Sequence, residues 1–217
     1  MSGVVRETRG GINFFNCDNI DFMKSKPDNY YDLAIVDPPY GIGRDGSKKT
    51  TSKHGGRKAH DFKGWDNEIP NSDYFKELFR VSKNQIIWGG NYFAKYLPAS
   101  MGWIFWDKGQ RICNSDGELA FSSFQKALRV VTINRVQLQV EGNTRHPTQK
   151  PIKLYRWLLQ RYADKGMKIL DTHGGSFTNA IACDKEGFDL DIIEIDKEYF
   201  NNGLKAFDNY KKQLTLF

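Results

Sequence analysis

The sequence predicts a doubly wound α/β domain, a mostly parallel sheet with helices on both faces. Three observations lead there. Short apolar runs recur along the 217 residues, and several are continuous rather than alternating, as strands covered on both faces require. Helical periodicity lies between them. Two of the runs end on clusters of polar chemistry, and in such sheets ligands sit outside the carboxyl ends of the strands.

Strands are expected at INFF (12–15), DLAIVD (32–37), QIIWG (85–89), GWIFW (102–106), ELAFSS (118–123), LRVVTI (128–133), KILD (168–171) and LDIIEI (190–195). Pro151 starts a helix with Leu154, Trp157, Leu158 and Tyr162 on a common face. Ser176 is placed to cap a second helix through Ala180, Ile181 and Cys183. From Lys197 onward, Phe200, Leu204, Phe207, Tyr210 and Leu214 form one stripe. There is no internal repeat and no low-complexity linker, so residues 1–217 read as a single domain.

Hydrophobic residues make up 39% of the chain and aromatics 14%, enough for a core. No run of 18 apolar residues exists, so no membrane span is expected. MSGVVRETRGG lacks the apolar stretch of a signal peptide, and Cys17, Cys113 and Cys183 show neither a disulfide framework nor zinc spacing. The four histidines are scattered, so no metal is expected and the reading is a cytoplasmic protein. Lysine and arginine outnumber acids 32 to 26, for a net charge of +6, which permits nucleic acid without requiring it. The distribution says more. Arg44, Lys48, Lys49, Lys53, Arg57, Lys58 and Lys63 stand among glycine, serine and threonine, so about 44–66 is expected to be a mobile basic loop. Taken alone, such a run is an ordinary solvated surface.

In KILDTHGGSFTNAIAC a strand ends on Asp171, two glycines turn the chain and a helix follows. Backbone can approach a ligand closely there, beside helix N–H groups. A glycine pair by itself often makes only a turn. The next strand, however, ends at Glu194, about twenty residues on, where an acid grips ribose hydroxyls in nucleotide-binding α/β folds. With no P-loop lysine and no complete GxGxxG, an adenosine without a pyrophosphate fits best.

The other strand end is LAIVDPPYGIG (33–43). Pro38 and Pro39 hold the backbone extended after Asp37 and contribute carbonyls without donors. A carboxylate and a carbonyl then share a spot with the Tyr40 ring, which suits an amino group on a planar base. Such an amine is a poor nucleophile because its lone pair is delocalised. If Asp37 and the Pro38 carbonyl each accept one N–H, the nitrogen moves toward tetrahedral geometry and its lone pair can attack a methyl in line. Tyr40 would stack on the base. DPP alone would be a capped turn; DPPY after a buried strand is more specific.

These motifs resemble a family: the S-adenosylmethionine-dependent DNA amino-methyltransferases of the permuted beta class, acting on adenine N6 or cytosine N4. NCDNIDFMKSKPDNYYDLAIVDPPYGIG resembles the opening segment, HPTQKPIKLYRWLL (146–159) the HPTQKP motif, and ILDTHGGSFTNAIACDKEGFDLDIIEID the cofactor loop with its acidic strand end. The resemblance covers nearly the whole chain and implies a Rossmann-like methyltransferase sheet. It also implies roles. Asp171, Gly174, Gly175 and Ser176 would hold the methionine portion, Glu194 the ribose, and Asp18 the adenine amino group. Thr148 and Lys150 would contact the methionine carboxylate. Asp37, Pro38, Pro39 and Tyr40 would carry the target base, flipped out of double-stranded DNA. Arg44, Lys48, Lys49, Lys53, Arg57 and Lys58 would meet phosphates. S-adenosylhomocysteine would be the product.

Thr172 and His173 replace the family's proline and phenylalanine, and Phe177 stands where glycine is common, so the loop is expected to be narrowed. His173 is read as packing rather than as a base. The region for target recognition, about 108–145, is very short, which implies a short site, relaxed specificity or a second subunit as a homodimer. Asp in the first motif position leans toward adenine N6 over cytosine N4. Protein-glutamine methyltransferases share (N/D)PPY but place the cofactor loop first, so motif order argues against them. A non-catalytic DNA-binding protein with a decayed methylase fold would have lost Asp37, Tyr40, Asp171 or Glu194. The resemblance also implies a bacterial or bacteriophage restriction-modification setting, with a cognate endonuclease as a partner.

Overall fold

A computed structural model describes residues 4–46, 63–109, 115–134, 137 and 149–214. Lys48, Lys49, Lys53, Arg57, Lys58 and Thr148 lie outside these, as do parts of the expected basic loop and recognition region. The described residues form one nine-stranded sheet flanked by helices.

The strands are β1 (Val5–Arg9), β2 (Ile12–Asn16), β3 (Tyr31–Val36), β4 (Ser82–Trp88), β5 (Ile104–Asp107), β6 (Gly117–Ser122), β7 (Arg129–Thr132), β8 (Lys168–Asp171) and β9 (Asp189–Ile193). Their order across the sheet is β1-β2-β9-β8-β3-β4-β6-β5-β7. Five central strands, β2, β9, β8, β3 and β4, run parallel. β6 reverses between β4 and β5, and β1 reverses at one edge. The mostly parallel, doubly wound reading therefore holds. β1 lies outside the sequence expectations because VRETR is half-exposed and largely polar, an edge strand with no core face to reveal it.

Alternation along each central strand sends side chains to two separate cores. Leu33 and Ile35 of β3, Ile86 and Trp88 of β4, and Leu190 and Ile192 of β9 face one; Ala34, Val36, Ile87 and Ile193 face the other. Both sets are buried, which is why these strands read as unbroken apolar runs. The first core is covered by α3 (Ile152–Tyr162), α4 (Thr178–Glu186) and α5 (Lys197–Leu214), and the second by α1 (Asn19–Lys24) and α2 (Ser72–Val81).

α2 adds a helix to those expected. Asn71 caps it by accepting from the N–H groups of Asp73 and Tyr74, and Tyr74, Phe75, Leu78 and Val81 form its buried face. Pro151 is the N-cap residue of α3, and Trp157 is partly buried beside its core face. The expected cap at Ser176 is replaced. α4 begins one residue later, after Phe177 in the left-handed conformation (φ 57°) with no side-chain cap.

Candidate active site

The carboxyl ends of β3 and β8 bring the two predicted centres together. Leu33 pairs with Ile169 and Ala34 with Leu170 in parallel register, so the chain leaves both strands on the same edge. β9 lies on the far side of β8, with Asp171 paired to Ile192, and brings Glu194 to that edge.

Asp37 sits at the centre of a buried charge network. Its Oδ2 is 2.5 Å from Lys150 Nζ, and its Oδ1 accepts the Tyr40 hydroxyl at 2.8 Å. Lys150 Nζ also donates to Tyr40 Oη at 3.1 Å and pairs with Glu118 Oε2 at 3.1 Å. Glu118 Oε2 stands within hydrogen-bonding reach of the same hydroxyl, 3.2 Å from Tyr40 Oη, and Glu118 pairs through Oε1 with Lys108 Nζ at 2.8 Å. Two carboxylates face two ammonium groups, so the network is close to neutral. Burial pushes the Asp37 carboxyl up; Lys150 draws it back and Glu118 adds to the rise. Burial opposes the Glu118 charge too, but Lys150 and Lys108 outweigh it and hold that carboxyl at about 2. Lys150 is raised although burial alone would lower it, because both carboxylates favour its charge.

Lys150 therefore stands on the Asp37 side of the site, whereas the family resemblance directed it to a methionine carboxylate. Glu118 and Lys108 are absent from the sequence-derived site. Glu118 lies within β6 and Lys108 just after β5, strands that read as simple sheet filler, and the antiparallel insertion of β6 beside β4 brings Glu118 to Tyr40.

The Tyr40 ring is stacked on Tyr92, with centroids 5.0 Å apart and planes 15° from parallel. Gly89 is required next to it: a Cβ there would lie 2.2 Å from the Tyr40 ring, and its φ is 72°. Asp66 holds the turn itself. Its Oδ1 accepts from the N–H groups of Tyr40 (2.7 Å) and Gly41 (2.9 Å), and its Oδ2 from that of Arg44 (2.6 Å). Pro38 and Pro39 have no N–H, so one buried carboxylate collects the donors that follow them. The exposed Arg44 thus uses its backbone in the turn. Lys63, counted with the basic loop, pairs with Asp196 at 2.9 Å and Glu198 at 2.8 Å.

At the β8 end, Asp171 Oδ1 accepts from His173 N–H at 3.0 Å and Oδ2 from Asn179 Nδ2 at 2.9 Å. Burial nevertheless pushes its carboxyl up to about 7, with the charges of Asp37 and Glu194 adding to the rise. Glu194 clamps the glycine loop: Oε2 accepts from Gly175 N–H and Oε1 from Asp196 N–H, both at 2.8 Å. Gly174 N–H donates to the Ile193 carbonyl at 2.7 Å, and Ser176 is buried behind it. Asp18 caps α1 with Oδ1, accepting from Ile20 and Asp21 N–H groups at 2.8 and 3.0 Å. Its neighbour Asn19 donates to the Thr172 carbonyl at 3.3 Å, tying that cap to the loop.

His173 is no base. Asn19 Nδ2 lies 3.1 Å from its Nε2 and Thr172 Oγ1 2.9 Å from its Nδ1, a pattern that assigns a neutral ring with the proton on Nδ1. Burial lowers the imidazolium to about 3. Phe177 packs into the core. Its ring is fully buried, packed on Phe14 and Phe200 and against Gly174 and Gly203. Among the described residues no group of His, Cys, Asp and Glu could hold a metal ion, and no helix is long and apolar enough to cross a membrane.

Known proteins are similar to this chain in sequence and in fold. The N6/N4 DNA methylase model matches residues 85–205, more than half of the chain. The type II methyltransferase M.HpaI of Haemophilus parainfluenzae is 26% identical over 91% of this chain and 77% of its own length. The DNA adenine methyltransferase YhdJ of Escherichia coli K12 is 25% identical over 88% of this chain and 81% of its own. Among solved structures, the M1.HpyAVI–SAM complex superposes with a TM-score of 0.60 at 17% identity, covering 89% of this chain and 98% of that one. The cytosine-N4-specific PvuII DNA methyltransferase gives 0.61 at 12% identity, covering 90% and 86%.

Proposed function

The chain belongs to the N6/N4 DNA methylase family, and from that premise we propose that it transfers a methyl group from S-adenosylmethionine to the N6 amine of an adenine flipped out of double-stranded DNA. The observation that carries the reading is the parallel β3–β8 pairing, which sets the Asp37 turn and the Gly174–Gly175 loop on one sheet edge. A cofactor and a base held at neighbouring strand ends meet without any domain movement.

The donor set fits the cofactor. Asp171 and Glu194 offer carboxylates to a cationic, hydroxyl-bearing ligand, and the loop from Asp171 to Thr178 contains no lysine or arginine of the kind a pyrophosphate would call for. When bound, S-adenosylmethionine supplies an electrophilic methyl on a sulfonium. Glu194 and Asp18 would hold its nucleoside; Asp171, Gly174, Gly175 and Ser176 its amino-acid portion. Asp37 and the Pro38 carbonyl would accept the two amine N–H bonds of the base, and Tyr40, with Tyr92 beside it, would hold the ring by stacking. Lys150 places a positive charge next to Asp37, which favours the ionised acceptor against the effect of its burial.

Adenine is favoured over cytosine by Asp37 at the head of the motif, and YhdJ is a named adenine enzyme. The type II methyltransferase relatives support a restriction-modification role with a cognate endonuclease, and the short recognition region supports a homodimer. The test is direct. The protein is incubated with duplex DNA and S-adenosylmethionine, and the DNA is digested to nucleosides and analysed by mass spectrometry. N6-methyldeoxyadenosine is expected. N4-methyldeoxycytidine alone would overturn the choice of base, and no methylated nucleoside would overturn methyl transfer.

A further inference from the structure

Both oxygens of the Asp37 carboxylate are taken in the free protein, Oδ2 by Lys150 at 2.5 Å and Oδ1 by the Tyr40 hydroxyl at 2.8 Å. Each oxygen keeps a second lone pair, but an arriving amine competes with the donor already held there unless that donor turns away. A tyrosine hydroxyl carries a single proton and gives it to one acceptor at a time. A second acceptor already stands within reach, since Glu118 Oε2 is 3.2 Å from the same hydroxyl. Turning the C–O–H bond moves the proton from Asp37 toward Glu118 without shifting a heavy atom. Oδ1 is then open to an N–H of the base.

The surroundings of Glu118 suit that task. Lys108 fixes Oε1 at 2.8 Å and Lys150 fixes Oε2 at 3.1 Å, so the acceptor is held in place from both ends. The same two ammonium groups keep its carboxyl at about 2, so it is an acceptor throughout the neutral range. Glu118 belongs to neither strand-end motif. It reaches the site from β6, opposite Trp106 of β5.

We infer that Glu118 is a positioning residue that draws the Tyr40 hydroxyl off Asp37 as the target amine docks. The inference rests on the methyl-transfer reading above. Glu118→Gln and Tyr40→Phe are made singly and together in the full chain, and kcat for DNA methylation is measured alongside S-adenosylmethionine affinity. With the hydroxyl present, Glu118→Gln should lower kcat by about tenfold or more. Once Tyr40→Phe has removed the hydroxyl, the further loss should be under about threefold, because nothing is left to hand over. Cofactor affinity should stay constant throughout. Equal losses in the two backgrounds would overturn the inference while leaving methyl transfer intact. Failure of the unmodified protein to methylate DNA would overturn both. Should Glu118→Gln not fold, Glu118→Asp keeps the charge beside Lys108 and Lys150 but withdraws the oxygen, and is read in the same two backgrounds against the same outcomes.

Discussion

Asp171 and Asp37 are both buried carboxyls at strand ends, yet their surroundings set them apart. Asp171 has two neutral N–H donors, which burial outweighs, and its carboxyl lies at about 7. A cation bound beside it favours the ionised form, so binding lowers that pKa and releases a proton. Affinity for S-adenosylmethionine should therefore rise with pH up to about 7 and level off above it. Below that point it should fall by up to about tenfold per pH unit. Titration calorimetry across this range checks the slope, and Asp171→Asn should give a weaker, flat profile. Asp37 has Lys150 as its counterion, and on the proposed mechanism it accepts from the base rather than from the cofactor. Asp37→Ala should lower methyl transfer by at least about 10²–10⁴-fold while cofactor affinity changes little. Turnover close to that of the unmodified protein would sink the acceptor mechanism.

At the level of elements, the entry to α4 is where side-chain propensity gave way to packing. Ser176 is a good cap residue, but it is buried, and the helix is nucleated after Phe177 instead. A left-handed backbone costs a non-glycine residue about 1–2 kcal/mol. Burying the Phe177 ring returns about 1.5–3 kcal/mol, enough to offset it. The ring occupies space that two glycines leave free. A Cβ at Gly203 of α5 would lie 2.5 Å from it, and one at Gly174 also 2.5 Å. Gly203→Ala should thus destabilise the fold by about 1–3 kcal/mol through overpacking. Adding Phe177→Leu should recover part of the loss. Denaturant unfolding of the three variants measures both effects, and strictly additive losses would contradict the contact.

For the molecule as a whole, binding to DNA should depend on charges that the sequence supplies next to the Asp37 turn. Replacing Lys48, Lys49, Lys53, Arg57 and Lys58 by glutamine should weaken binding to all duplexes alike. It should also reduce the slope of log affinity against log salt by up to about four. An unchanged slope would take these residues out of the interface. Lys63 is left out of that set because Asp196 and Glu198 already neutralise it, something its place in a basic run does not reveal. The strand-end motifs were legible for a simple reason. Asp37, Pro38, Pro39 and Tyr40, and likewise Asp171 with Gly174 and Gly175, are contiguous, and their chemistry follows from local backbone and side-chain type. The unbroken apolar runs of β3, β4 and β9 likewise disclosed a sheet covered on both faces, because burial on both sides removes alternation. Glu118, Lys108, Asp66 and Tyr92 left no such trace. Each acts only through partners brought near by strand pairing or by a returning loop: Glu118 is 78 residues from Tyr40 and Asp66 is 26. The chain by itself determined which groups would stand at the strand ends. Strand order and register decided which distant charges would face them, because ion pairing and burial depend on separation in space and not along the backbone.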